Sequence, residues 1–221
     1  MPFSHQSRTG AGIVAVLTAV LCHGAPGQDA PVREAKSIPP RATPADYQAH
    51  AQAGTLTVAA EFTGHSVPTP EAVLSTEDYV VVEVGLFGPP AARVKLSYEH
   101  FSLRINGKKA PSPAQPYTFV FKSLKDPEWA PPVSAEPKSK TGINTGGKSD
   151  SGSTPAPVHV PIELERAMEL RVQKASLPEG ERVLPGAGLI FFQHRGKTDG
   201  IHSLELIYNG PAGKAILTLQ P

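Results

Sequence analysis

The sequence predicts an all-β sandwich, on three observations. About seven short segments alternate apolar and polar residues, and turn residues separate them at the spacing of sandwich strands. Proline and glycine are abundant, at 24 and 20 residues, which suits strands joined by long connections better than a helical bundle. There is one cysteine, Cys22, so no disulfide framework is available and an apolar core must supply the stability.

The first element is a leader. Arg8 is the only charge before Asp29, and an apolar run from Ala11 to Cys22 follows it. Ala25 and Gly27 then stand at the two small-residue positions of a cleavage site, so residues 1–27 read as a secretory signal peptide and Gln28 as the first mature residue. About a dozen apolar residues are too few to cross a ~30 Å hydrocarbon core, so no transmembrane segment is expected after cleavage. Cys22 ends the run where an acylated cysteine would lie. Leu21 stands where lipoprotein signals carry a small residue, so lipid anchoring is the less favoured alternative. The expected location is periplasmic or extracellular. Residues 28–54 read as a mobile leader ending in a short helix over 44–53. Thr43 would cap that helix, Pro44 would sit at its first position and Gly54 would stop it.

The domain proper is expected over 55–221. Its first strand is Thr55–Phe62 and its strongest is Asp78–Phe87, DYVVVEVGLF. In the latter, Val80, Val82, Val84 and Leu86 share an aliphatic face; Tyr79, Val81, Glu83 and Phe87 share a mixed one. A short strand at Val94–Ser97 precedes Phe101–Ile105, and Asn106-Gly107 makes a tight turn. A further strand is expected at Tyr117–Leu124. At about 125–157 the composition turns to Pro, Gly, Ser and Lys, which reads as a disordered insert dispensable for folding. A helix at about 161–175 follows, with Leu164, Met168, Val172 and Ala175 in one stripe that packs on the sandwich edge. After a turn at Leu177–Glu181, strands are expected at Gly188–Phe192, Ile201–Tyr208 and Lys214–Leu219.

The segments DYVVVEVGLFG, Phe101-x-Leu103 before a glycine turn, LPEGERVLPGAGLIFF, HSLELIYNG and AILTL resemble a group of bacterial exported immunoglobulin-like domains of unknown function. These occur in surface lipoproteins and are similar to the secreted immunoprotective-antigen sandwich. The resemblance covers roughly Thr55–Leu124 and Ala175–Leu219 and implies an immunoglobulin-like β-sandwich. It carries no catalytic residues, and it covers neither the 44–53 helix nor the 125–175 region.

Charge and motif narrow the chemistry. Loss of Arg8 with the leader leaves 20 Lys+Arg against 20 Asp+Glu, a balance unsuited to nucleic acid, which needs a basic face. His50, His65, His100, His159, His194 and His202 show no metal-ligand spacing, although His194 and His202 lie on segments able to neighbour each other. No G-x-S-x-G elbow is present. Glu61, Asp78, Glu83 and Glu205 are the carboxylates a hydrolase would draw on, and as strand residues they read as solvated groups. Gly186-Ala187-Gly188 lacks the G-K-[ST] of a phosphate loop. No cofactor, metal or catalytic residue is expected. Tyr117, Phe119, Phe121 and Trp129 are the candidate partner contacts, since aromatic side chains anchor interfaces. The expectation is an exported, non-enzymatic module of the cell envelope with a binding or structural role toward an envelope or extracellular protein. The alternative is a secreted hydrolase or small-ligand carrier whose site assembles only in three dimensions.

Overall fold

The computed structural model describes residues 36–130 and 160–221. The signal peptide, Cys22, residues 28–35, most of the 125–157 insert and His159 lie outside the described residues. In chain order the strands are β1 (Ala49–Ala53), β2 (Leu56–Gly64), β3 (Ser66–Pro68), β4 (Val73–Thr76) and β5 (Tyr79–Phe87). Then come β6 (Arg93–Leu96), β7 (Phe101–Ile105), β8 (Ser112–Pro113) and β9 (Leu124–Lys125). The helix α1 (Ile162–Ala175) precedes β10 (Gly180–Val183), β11 (Gly186–Gln193), β12 (Leu204–Gly210) and β13 (Gly213–Leu219). Two four-stranded antiparallel sheets dominate, one ordered β1-β2-β5-β11 and the other β13-β12-β7-β8. Two small sheets, β3-β4-β9 and β10-β6, complete the set among the described residues.

The two large sheets enclose one apolar core. Val80, Val82, Val84 and Leu86 of β5 meet Leu103 and Ile105 of β7, and Leu204, Leu206 and Tyr208 of β12, all buried. Alternation is strict in β12 and β13, because the second sheet has a solvated outer face. Two glycines are demanded by close approach. Gly54, at φ +63°, turns β1 into β2, and a Cβ there would stand 2.2 Å from the Ala212 carbonyl oxygen in the β12–β13 turn. At Gly188 a Cβ would stand 2.5 Å from the Leu177 backbone, whose N–H donates to the Leu189 carbonyl and covers the free edge of β11.

The first sheet is covered on its outer face as well. Val81, Leu189 and Phe191 pack there against Val120 and the Met168, Val172 and Ala175 stripe of α1. Glutamates 163 and 165 sit in the first turn of α1 and Lys174 in its last, as the helix dipole favours. Seven consecutive residues of β5 are therefore buried, Glu83 among them. The mixed face read from the sequence is not a solvent face.

Other expectations are corrected. Among the described residues thirteen strands stand where about seven were expected, the additions being mostly pieces of two to five residues. The helix over 44–53 is a single 3-10 turn, Pro44–Asp46, followed by β1. A ten-residue helix gains too little from local bonds alone, and residues 49–53 instead form five ladder pairs with β2. The strand at Tyr117–Leu124 is two 3-10 turns, Tyr117–Phe119 and Phe121–Ser123. Its apolar contacts recur at a spacing of three to four: Tyr117, Val120 and Leu124 face the outer core while Phe119 points to solvent at 56% exposure. Within the leader, Ile38 packs on the outer core and the Lys36 amide donates to the Glu71 carboxylate.

Candidate functional site

The four aromatic candidates surround the outer layer. Tyr117 and Phe121 are one turn apart, with ring centroids 5.7 Å apart and planes tilted 52°, and both lean on the outer core. Trp129 is set by a turn in which its N–H donates to the Asp126 carbonyl while the Asp126 carboxylate accepts from the Glu128 N–H. A cavity of about 270 Å³ lies beneath it, floored by Leu124, Val160 and Met168 and edged by Lys125 and Asp126. A second, of about 260 Å³, shares Leu124, Val160 and Met168 and continues past Phe121 to Lys122, Glu165 and Glu169. Together they form one groove along α1, with an apolar floor and charges of both signs on its rim. Phe121 and Trp129 belong to this groove. Tyr117 instead lines a separate cavity of about 230 Å³ with Tyr98 and Leu177, and Phe119 lines none of these three.

The carboxylates picked out by the sequence are all in ion pairs. Glu61 and Glu83 are directly opposite one another on β2 and β5, a repulsive arrangement by itself. Arg41 resolves it by donating to both: Nη1 bonds Glu61, while Nε and Nη2 reach the two oxygens of Glu83 at 3.2 and 3.0 Å. The guanidinium also lies 4.5 Å from the ring centroid of Tyr47, and the Tyr47 ring fills the space over Gly85. Burial pulls the Arg41 pKa down, but hydrogen bonds to Glu61 and Glu83 and their charges outweigh it, so the group stays charged. Burial raises the Tyr47 phenol. Asp78 pairs with Arg195 at 3.1 Å and Glu205 with Arg104. Glu83 is thus an engaged, buried group and not the solvated carboxylate its strand position suggests.

The histidines separate. The ring stacked on His194 is that of His65, at 6.2 Å between centroids, while the His202 backbone is held by Asn106. His100 meets the Tyr208 ring edge-on, and burial lowers its pKa. Among the described residues no three His, Cys, Asp or Glu side chains converge as metal ligands do. One depression brings two of the candidate groups together, His65 and Asp78, and it opens broadly to the surface.

No protein-family model, curated protein or solved structure matches this chain. Its own surface chemistry therefore has to carry the functional reading. Sequence reasoning missed Arg41 and Tyr47, which hold the first sheet from a segment read as leader. No local signal pointed to them, because the facing of Glu61 and Glu83 that calls for a cation follows only from the β2–β5 register. It also missed Met168 and Val160 as groove floor, since nothing local to α1 shows what the 121–129 segment leaves uncovered.

Proposed function

We propose that this chain is an exported, non-enzymatic immunoglobulin-like module of the cell envelope that binds an envelope protein through the groove along α1. The observation that carries the reading is an apolar groove floor flanked by two half-buried aromatic side chains. Phe121 and Trp129 sit at its sides, and Lys122, Lys125, Glu165 and Glu169 offer charges of both signs to an occupant's polar rim. Strand order supports the immunoglobulin-like part. In such sandwiches the first, second and fifth strands face the third, sixth and seventh. Here β2, β5 and β11 face β7, β12 and β13 in the matching sequence of crossings, with β8 beside β7. β1 is additional, and Gln115 and Leu177 occupy the edge of β11 where a fourth strand of that sheet would pair. Export rests on the charge, apolar and small-residue succession ending at Gly27. The non-enzymatic part rests on Glu61, Asp78, Glu83 and Glu205, each paired with an arginine.

A photo-crosslinking residue at position 122, on the rim of the groove and carried by the protein expressed in its own cell, tests the reading. The expected product is one discrete cross-linked envelope protein attached to a chain that begins at Gln28, and Trp129→Ala removes it without lowering the melting temperature. Absence of any cross-link, or one indifferent to Trp129, overturns the binding surface. Full-length chain confined to the cytoplasm overturns export.

A further inference from the structure

Two separate segments cover the free edge of β11, and they leave a notch. The Gln115 N–H donates to the Phe191 carbonyl at 2.8 Å, and the Leu177 N–H donates to the Leu189 carbonyl at 2.9 Å. Both apolar clusters run out at this edge: Leu177 and Tyr98 belong to the inner one, Leu189 and Tyr117 to the outer one. The notch is the cavity of about 230 Å³. Leu177 and Leu189, both buried, floor it, and Tyr98 and Tyr117 wall it. Glu179 is the one charged side chain lining it among the described residues. Local sequence sets each of these groups. The Ser97 hydroxyl caps the 3-10 turn Tyr98–His100 by accepting from the Glu99 N–H. Pro116 opens the turn Tyr117–Phe119, and its carbonyl accepts from the Phe119 N–H at 3.1 Å. Gly180, at φ +88°, bends the chain into β10 opposite Leu96. Glu179 therefore falls beside Ser97, whose hydroxyl donates to its Oε1 at 3.1 Å.

We propose that this notch binds a compact organic cation with a fully methylated nitrogen, of the quaternary-ammonium class, as a free solute. The charges favour a cation. Among the described residues, ion pairs engage Glu61, Glu77, Asp78, Glu83, Glu181 and Glu205, and leave out Glu179 and its neighbour Glu99. Burial first, then the charges of Glu179 and Glu99, raise the Tyr98 phenol, so both acids act on the cavity wall. Lys95, on the same stretch of chain, stands opposite Glu181 across the β6–β10 pair. The lining selects the kind of cation. An anion meets Glu179. A neutral apolar group would strip water from that carboxylate with no charge to offset it. A metal ion or a primary ammonium would leave coordination or N–H positions unfilled over the two leucines. A quaternary ammonium carries its charge on methyl groups, which suit an apolar floor and are attracted to aromatic faces. The volume lies below the ~300 Å³ at which drug-sized ligands begin, so the notch takes one such group and not an extended chain. The site is separate from the groove along α1 and does not depend on it.

Choline, added to the intact protein at constant ionic strength, tests the site, with the ring protons of Tyr98 and Tyr117 followed by NMR. Both rings should shift along one saturable curve. Dimethylbutanol, the neutral analogue with carbon in place of the charged nitrogen, should bind about tenfold more weakly or worse. Glu179→Gln, at an exposed position on the rim, should weaken choline about tenfold with the melting temperature unchanged. Tyr98→Leu should weaken it by as much. Phosphocholine should bind more weakly than choline, because Glu99 and Glu179 repel its phosphate. Rings that do not shift, equal binding of the neutral analogue, or a Glu179→Gln variant as good as wild type overturns the site. Phosphocholine as tight as choline overturns the free solute in favour of a lipid headgroup. If Tyr98→Leu does not fold, Glu179→Gln and the neutral analogue decide.

Discussion

Glu83 holds a charge in the middle of the most buried strand, with its side chain only 11% exposed. That is tolerable because Arg41 reaches it through two nitrogens and meets the opposing Glu61 through a third contact. The pair is best understood as a constraint that each member imposes on the others. Glu83→Lys sets a second cation against Arg41 and leaves Glu61 as the only acid. Breaking a buried pair costs about 3–5 kcal/mol, and the partial exposure of Arg41 lowers that to roughly 2–3 kcal/mol here. Glu83→Gln keeps the shape and one acceptor, and should cost about 1 kcal/mol. Urea midpoints of the two variants check the order; a harmless Glu83→Lys would mean that the arginine does not sit where the acids need it. From sequence this residue looked like an exposed strand carboxylate. Its partner lies 42 residues away in the chain, and no local pattern encodes that separation.

Among the elements, the hairpin tips decide how the two large sheets meet. Gly54 and Gly107 have nearly the same positive φ, +63° and +65°, but only Gly54 has backbone packed against its missing side chain. Gly107→Ala should therefore lose only the conformational term, about 1 kcal/mol. Gly54→Ala should add the displacement of the β12–β13 turn, for roughly 2–3 kcal/mol in all. Equal losses in denaturant melts would mean that the contact between tips contributes nothing. The same contrast explains what could be read from the chain. β12 and β13 were legible because one wet face imposes alternation. α1 was legible because its stripe, charges and length agree. β1 and the 117–124 segment misled because five alanine-rich residues and three aromatics satisfy more than one period. Only the neighbour, β2 in one case and the outer core in the other, selects among them. In the candidate groove the aromatic residues were visible in sequence but their division was not, since Tyr117 and Phe121 are separated by the turn geometry that places Val120 inward.

Over the whole molecule, the first sheet is a shared wall between two apolar clusters. Val82 belongs to the inner one, between the large sheets, and Val172 to the outer one, beneath α1. Val82→Asp strands an unpaired carboxylate between two sheets, at a cost of several kcal/mol against a total stability of ~5–15 kcal/mol, and should abolish cooperative unfolding. Val172→Asp should leave a cooperative transition at a lower midpoint, with α1 amides exchanging well before those of β12. Simultaneous loss of both regions in the Val172 variant would mean that the two layers fold as one unit.

The segment bearing Arg41 and Tyr47 also has a meaning in terms of competition. It is joined to the sheet by a few residues before β1, so its guanidinium faces the Glu61–Glu83 site at an effective concentration of order millimolar. A free arginine-bearing peptide in solution must reach that range before it displaces the tethered one. Chain shortened past Arg41 has no such competitor. It presents two adjacent carboxylates on the outer face of the first sheet, a ready receptor for any cation that arrives from outside.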